Sequence, residues 1–336
     1  MNEYTSKRYV GITTTVPVEI IYAAGAVPVD LNNVFIAHPL REDFVKKAEL
    51  DGFPRNVCRW IKGIYGAALN SDIKEVVAVM QGDCSNTHAL AETLNFNGIR
   101  IIPFSFPYDG DYDLLKYQLE HLAENLGVAN WIDVIAWKRR LDSVRELAHR
   151  IDEMTYVDNV VTGFENHLYL VSTSDFEGDP TKFERKMRDF IDEAQNRSEF
   201  PQKIRLAYIG VPPIFGDIYD VLEKYGARVV FNEVQRQFSM PFDTEDIVEQ
   251  YRLYTYPYNV QRRIDDIRQQ IKLRKVDGII HYTEPFCFRQ IEDIILRKAF
   301  DIPYILIEGG EQFSVDERTK MRLQAFVEML KGRIER

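Results

Sequence analysis

Short apolar runs separated by polar turns recur at 26–31, 75–80, 100–104, 204–209, 228–231, 278–281 and 304–307. Each is the length of a buried parallel strand and too short for a stable helix. Between them, HALAETLNF, IYDVLEKYG and FRQIEDIILRKAF place apolar residues three and four apart, the period of a helix lying on a sheet. This alternation predicts an α/β fold of two doubly wound, mostly parallel sheets with right-handed crossovers. From 111 to about 194 the pattern changes. LLKYQLEHLAENL, WIDVIAWKRRLDSVRELAHRIDEM and FERKMRDFIDEA are long amphipathic stretches with few strand signals, broken most clearly by Gly178 and Pro180 in STSDFEGDPTKF. The expected organisation is an N-terminal α/β domain over 1–110, a helical connecting segment over 111–200 and a C-terminal α/β domain over 201–336.

Two segments share one plan. EVVAVMQGDCSNTHALAETLNFNGIRIIPFSF and VDGIIHYTEPFCFRQIEDIILRKAFDIPYILIEGG each run strand, polar turn with one cysteine, amphipathic helix, short turn, strand. Cys84 and Cys287 are thus expected beyond the carboxyl end of a parallel strand and ahead of a helix, where open α/β sheets bind ligands. If the two halves face each other across a cleft, both thiolates point into it. Cys58, in FPRNVCRWIKGIYGAAL, opens another helical pattern, with Arg55, Arg59 and Lys62 nearby to stabilise a thiolate. Helix N-termini offer unpaired N–H groups and partial positive charge, which lower a thiol's pKa. Gly82 suits a tight turn beside Cys84.

Composition narrows the chemistry. With 336 residues, 45% hydrophobic and 28% charged, the chain can bury a sizeable core and carries no sign of disorder. A net charge of -10 without a stripe of Lys and Arg argues against a non-specific nucleic-acid or anionic-membrane binder. No signal peptide and no run near ~18 apolar residues is seen, so a cytoplasmic protein is expected. Three cysteines without a C-x-x-C pair make a disulfide framework or a four-ligand structural zinc site a poor match. Zinc held by Cys with His88 or His281, and cysteines that are simply small buried hydrophobes, stay open. Iron–sulfur ligation suits three helix-start thiolates better, and a cubane held by three leaves one iron open as a Lewis acid. A G-x-x-x-x-G-K-[ST] nucleotide loop is not found.

GITTTVPVEIIYAAGAVPVDL, followed by NVCRWIKGIYGAAL, MQGDCSNTHALAETL and TEPFCFRQIEDIILRKAFDIPYILIEGGE, resembles the 2-hydroxyacyl-CoA dehydratase family, which includes benzoyl-CoA reductase subunits. The matching blocks follow the family's order over nearly the whole chain, the central helices adding little. The resemblance implies two α/β domains around a helical part and a 4Fe-4S cluster ligated by Cys58, Cys84 and Cys287. It implies radical dehydration of a 2-hydroxyacyl-CoA to the 2-enoyl-CoA, through a ketyl formed after an ATP-dependent iron–sulfur activator injects one electron. It also implies a related second subunit or a self-dimer. The β proton of a 2-hydroxyacyl thioester is not acidic, and one-electron reduction of the carbonyl supplies the missing handle. Acid–base help must then come from side chains.

Candidates for that help, or for a ligand at the open iron, are the hydroxyls of Thr13, Thr14 and Thr15, together with Glu19, His88 and Glu284. Each has a plainer use. The threonines would cap a helix opening at Pro17, Glu19 would favour that helix's dipole, and His88 would face solvent. Lys138, Arg139 and Arg140 form either a basic patch for coenzyme A phosphates or a charged helix face. Two other functions stand beside the dehydratase. One is an electron-transfer or reductase component acting on another substrate, and the other is a cluster-free α/β binding protein.

Overall fold

Parallel pairing of short apolar strands organises the computed structural model, which describes residues 7–334. One four-stranded sheet contains β1 (Arg8–Ile12), β2 (Ala26–Asp30), β3 (Glu75–Gln81) and β4 (Arg100–Ser105) in the order β2-β1-β3-β4. The other contains β5 (Ile204–Gly210), β6 (Ala227–Asn232), β7 (Gly278–Thr283) and β8 (Tyr304–Glu308) in the order β6-β5-β7-β8. Every pairing is parallel, and the second order repeats the first position for position. The fold is therefore α/β with two doubly wound parallel sheets. Seven strands coincide with the apolar runs, whereas β1, RYVGI, lies outside them. Its Arg8 and exposed Tyr9 interrupt the apolar pattern, and Arg8 is held instead by Glu75 at the start of β3, Nε to Oε1 2.7 Å and Nη2 to Oε2 2.8 Å.

The chain forms two compact units. The first comprises Met1–Glu146, Ser172–Glu184 and Phe242–Tyr258, the second Leu147–Val171, Arg185–Pro241 and Asn259–Arg336. In the first unit, Leu31, Ile61, Ile64, Val76, Leu90 and Leu94 form a core cluster between sheet and helices. Gly66 lets the helix Arg59–Leu69 lie close on its neighbour, since a Cβ there would come within 2.5 Å of the Phe44 Cα. In the second unit, Ile209, Val230, Phe231, Ile267, Ile279 and Leu296 play the same part. Among the described residues no helix is long and apolar enough to cross a membrane.

The short segment Ser172–Glu184 is fastened to the end of β2 by carboxyl groups. Ser174 Oγ donates to Asp30 Oδ2 at 2.6 Å, the Asp30 N–H donates to Asp175 Oδ2 at 2.8 Å, and Tyr22 donates to the Asp175 carbonyl at 2.8 Å. Both carboxyls are buried. Burial first, and the Asp30 charge second, push Asp175 up to about 7, and burial raises Asp30 as well. Between the ordinary carboxyl range and about 7, the folded state holds a proton that the unfolded chain releases. Stability is thus full at acidic pH and lost as pH rises. Asp175→Asn is expected to flatten the decline in thermal stability between about pH 4 and 7, even if the lost acceptor lowers stability throughout. Melting curves across that range check this; an unchanged slope would refute it.

Candidate functional site

In an open parallel sheet the crossovers diverge at the point where the strand order reverses, leaving a crevice beyond the carboxyl ends of two adjacent strands. In the first unit that point lies between β1 and β3, in the second between β5 and β7. Thr13 follows β1 and Cys84 follows β3, so two of the sequence-predicted elements share one switch point. Cys287 follows β7 at the equivalent place in the second unit.

The three cysteines have similar local settings. Cys58 is the N-cap residue of the helix Arg59–Leu69, and its carbonyl accepts from Lys62 N at 3.2 Å. Cys84 precedes the helix Thr87–Phe96, its carbonyl accepting from Thr87 N at 3.0 Å. Cys287 precedes the helix Arg289–Ala299, its carbonyl accepting from Gln290 N at 3.0 Å. All three are half-buried. Cys58 and Cys84 pack against the same core cluster of the first unit, so the fold brings this pair to one region, while Cys287 belongs to the second unit. Among the described residues no group of three or more His, Cys, Asp or Glu side chains is arranged to hold a metal ion.

Electrostatics around the thiols differ from the sequence expectation. Lys62 does not face a thiolate; it is buried, with Nζ donating to Glu49 Oε1 at 2.7 Å and to the Arg55 carbonyl at 2.8 Å. The Cys287 thiol is raised, because burial outweighs the lowering by Arg289, and Glu284 and Glu292 add to the rise. Arg289 is held 3.4 Å from Glu292, which also accepts from Arg263 Nη1 at 2.5 Å. Arg263 forms a two-point contact with Glu233, whose Oε2 accepts from the Gly210 N–H at the end of β5. A buried ionic chain therefore runs from that switch point to the start of the cysteine's helix. Glu284 is buried and accepts from Tyr282 at 2.6 Å. His281, an alternative ligand in the zinc reading, lies buried on β7 with Nδ1 2.9 Å from Asp293. Burial lowers its pKa despite the Asp293 contact.

The threonines divide by role. Thr13 ties β1 to β3, its N–H donating to the Val77 carbonyl and its Oγ1 accepting from Val79 N at 3.1 Å. Thr14 and Thr15 are buried, and Thr15 Oγ1 has no hydrogen-bond partner among the described residues. None of them caps the helix Val18–Ala23, where Pro17 is the N-cap residue without a side-chain cap. Glu19 is buried, accepting from Arg145 Nη1 at 2.8 Å, Gln250 at 3.1 Å and Tyr251 at 2.8 Å. Burial alone would raise its carboxyl, but the Arg145 charge and these hydrogen bonds hold it below the ordinary carboxylate range. His88, four residues after Cys84 and the second residue of the helix Thr87–Phe96, is exposed. Lys138 is buried and donates to Asp142 and the Thr244 carbonyl, both at 2.6 Å, so it forms no surface patch. Arg140 is paired with Glu184.

Residues outside the sequence reading support the Cys84 turn. Gly82 has φ +99°, and a Cβ there would come within 2.7 Å of the Pro257 Cβ and 3.0 Å of the Phe106 Cβ. Tyr256 donates to Asp83 at 3.2 Å, and Phe106 packs edge-on against Tyr254 and Tyr258. The aromatic run YRLYTYPYNV is the signal that could have pointed there. A separate pocket of about 520 Å³ opens along edge strand β8, lined by Arg297, Arg318 and Arg322 together with Glu308 and Asp316. It holds none of the sequence-predicted catalytic or cluster-binding residues.

The family model described as 2-hydroxyglutaryl-CoA dehydratase, D-component, matches residues 13–330. No curated protein matches the chain.

Arg145→Met would strand the buried Glu19 carboxylate without its ion partner. A loss of about 3–5 kcal/mol is expected in urea denaturation, and a loss within error would show that Tyr251 and Gln250 satisfy Glu19 alone. Gly82→Ala combines a strained φ with a clash against Pro257. It should lower stability by about 1–3 kcal/mol, and an unchanged melting temperature would mean that the turn relaxes freely.

Proposed function

Because the chain belongs to the family of the 2-hydroxyglutaryl-CoA dehydratase D-component, we propose that it is the iron–sulfur subunit of a 2-hydroxyacyl-CoA dehydratase, a hydro-lyase giving the 2-enoyl-CoA. In this reading Cys58, Cys84 and Cys287 hold a 4Fe-4S cluster with one iron free of a cysteine ligand. The observation that carries it is that Cys84 and Cys287 follow the equivalent strands, β3 and β7, of two sheets with the same order, at the switch points where α/β folds take their ligands. The donors fit the group in kind: three soft thiols, each at the start of a helix.

When bound, the cluster supplies one-electron reduction of the thioester carbonyl together with a Lewis-acidic iron. The rest falls to the chain's own residues. Thr15, buried with an unpartnered Oγ1 beyond β1, is the hydroxyl suited to reach a ligand at that switch point, with Thr14 beside it. Gly82 lets the backbone turn sharply next to Cys84. Glu19 serves through position, fixing the segment that carries the threonines by its contact with Arg145. His88, being exposed, can exchange a proton with solvent or substrate. Coenzyme A substrate, a related second subunit or a second copy, and an ATP-dependent iron–sulfur activator complete the system.

Iron and acid-labile sulfide, measured on anaerobically purified protein, are expected at about four each per chain. Cys58→Ala, Cys84→Ala and Cys287→Ala should each lose both. Dehydration of 2-hydroxyacyl-CoA should appear only with activator and ATP. Colourless, iron-free protein from an iron-replete anaerobic preparation would overturn the reading.

A further inference from the structure

The pocket of about 520 Å³ beside edge strand β8 is lined by three guanidiniums, although the chain as a whole carries a net charge of -10. Arg297 comes from the helix Arg289–Ala299. Arg318 and Arg322 come from the helix Glu317–Ile334, four residues apart and so on one face. None of the three has all its donors engaged. Arg297 is anchored to Asp293 Oδ2 through Nε at 3.2 Å and Nη2 at 2.8 Å, which leaves Nη1. Arg322 donates to the Leu306 carbonyl through Nη2 at 2.7 Å, which leaves its other nitrogens. Arg318 is exposed and forms no side-chain hydrogen bond or ion pair among the described residues.

Two carboxylates line the same pocket, and neither forms an ion pair with these arginines. Asp316 Oδ1 accepts from the Thr319 N–H at 2.7 Å, at the start of its own helix, and Glu308 accepts from Gln290. The guanidinium donors are thus left for the open volume and not taken up by the acids beside them. Along one side, half-buried Tyr304, Ile305 and Leu306 add apolar surface. Guanidinium forks grip phosphate oxygens two at a time, and a volume of this size suits a small organic molecule better than a lone inorganic ion. We propose that this pocket binds a diphosphate ester. Arg318, Arg322 and Arg297 hold the diphosphate, and the β8 side chains cover the group attached to it. A free nucleoside diphosphate and coenzyme A both carry that chemistry. The lining contains no cysteine and the binding needs neither iron nor dehydration, so the inference does not depend on the dehydratase reading.

Calorimetric titration of the full-length chain with inorganic pyrophosphate, ADP, coenzyme A and pantetheine tests it. Pyrophosphate is expected to bind, pantetheine, which has no phosphate, is not, and at least one of the two esters should bind about tenfold more tightly than pyrophosphate. Arg318→Glu, at an exposed side chain with no structural partner, should keep its circular dichroism and weaken each phosphate ligand by about tenfold or more in Kd. Arg318→Lys, which keeps the charge without the fork, should lose less. Coenzyme A binding more tightly than ADP identifies the acyl carrier as the source of the diphosphate, and the reverse order identifies a free nucleotide. Absence of binding by all three phosphate ligands at millimolar concentration overturns the proposal. So do affinities indifferent to Arg318→Glu, or pantetheine binding as tightly as coenzyme A.

Discussion

Parallel strand pairing with a reversal in the order is the constraint on which the rest of this structure depends. With every strand pointing the same way, each strand-to-helix turn must emerge at the same edge of its sheet. With the order β2-β1-β3-β4, the crossovers leaving β1 and β3 diverge, and the turns after those two strands are left side by side. The same holds for β5 and β7 in the order β6-β5-β7-β8. Thr13 to Thr15 and the Gly82–Cys84 turn, or Gly210 and the Glu284–Cys287 turn, are neighbours for this reason and not through any local sequence signal. A cysteine after the third strand of each sheet is therefore a topological repeat as well as a repeat of pattern.

Buried charge ties the switch points to the rest of each unit. In the first unit, Arg145 bridges Glu19 and Asp142, and Tyr251 joins the same carboxylate from a segment more than 200 residues further along the chain. In the second, Glu233, Arg263, Glu292 and Arg289 link the end of β5 to the helix that follows Cys287. Arg274 grips Asp152 through two nitrogens in the same unit, at 2.8 Å and 2.5 Å. Burying such ions is costly, and breaking a pair costs more than never having it. Their effect is to make few alternative placements of these segments tolerable, which suits sites whose turns must be held in one geometry.

The cysteine surroundings show how burial and charge compete. At Cys287 a helix start and a nearby arginine both favour the thiolate, yet removal from water prevails and the thiol is raised. The Cys84 turn is held sterically, by Pro257, Phe106 and Tyr256. Lys62, which stands near Cys58 in sequence, is spent on Glu49. Charge counted along a sequence is a poor guide to charge felt at a thiol, because a long side chain reaches whichever partner the fold brings within range.

Much of this protein was legible in its residues. Apolar runs of strand length, bounded by turns and alternating with helical periods, arise from short-range preferences, and seven of the eight strands coincide with them. The eighth, β1, escaped because its arginine and exposed tyrosine break the apolar run, and the arginine is accommodated through Glu75 on a neighbouring strand, a contact that no local pattern encodes. The cysteine turns were legible because strand, turn and helix are consecutive in the chain, and the family blocks lie around them. What the residues could not reveal is which distant partner each polar side chain would meet. That Glu19 would be closed over by Arg145 and Tyr251, that Thr13 would be spent on Val79 while Thr15 was not, and that arginines from two helices would line one pocket all depend on contacts between residues far apart in sequence. Those are set by the packing of whole elements, and no periodicity along the chain records them.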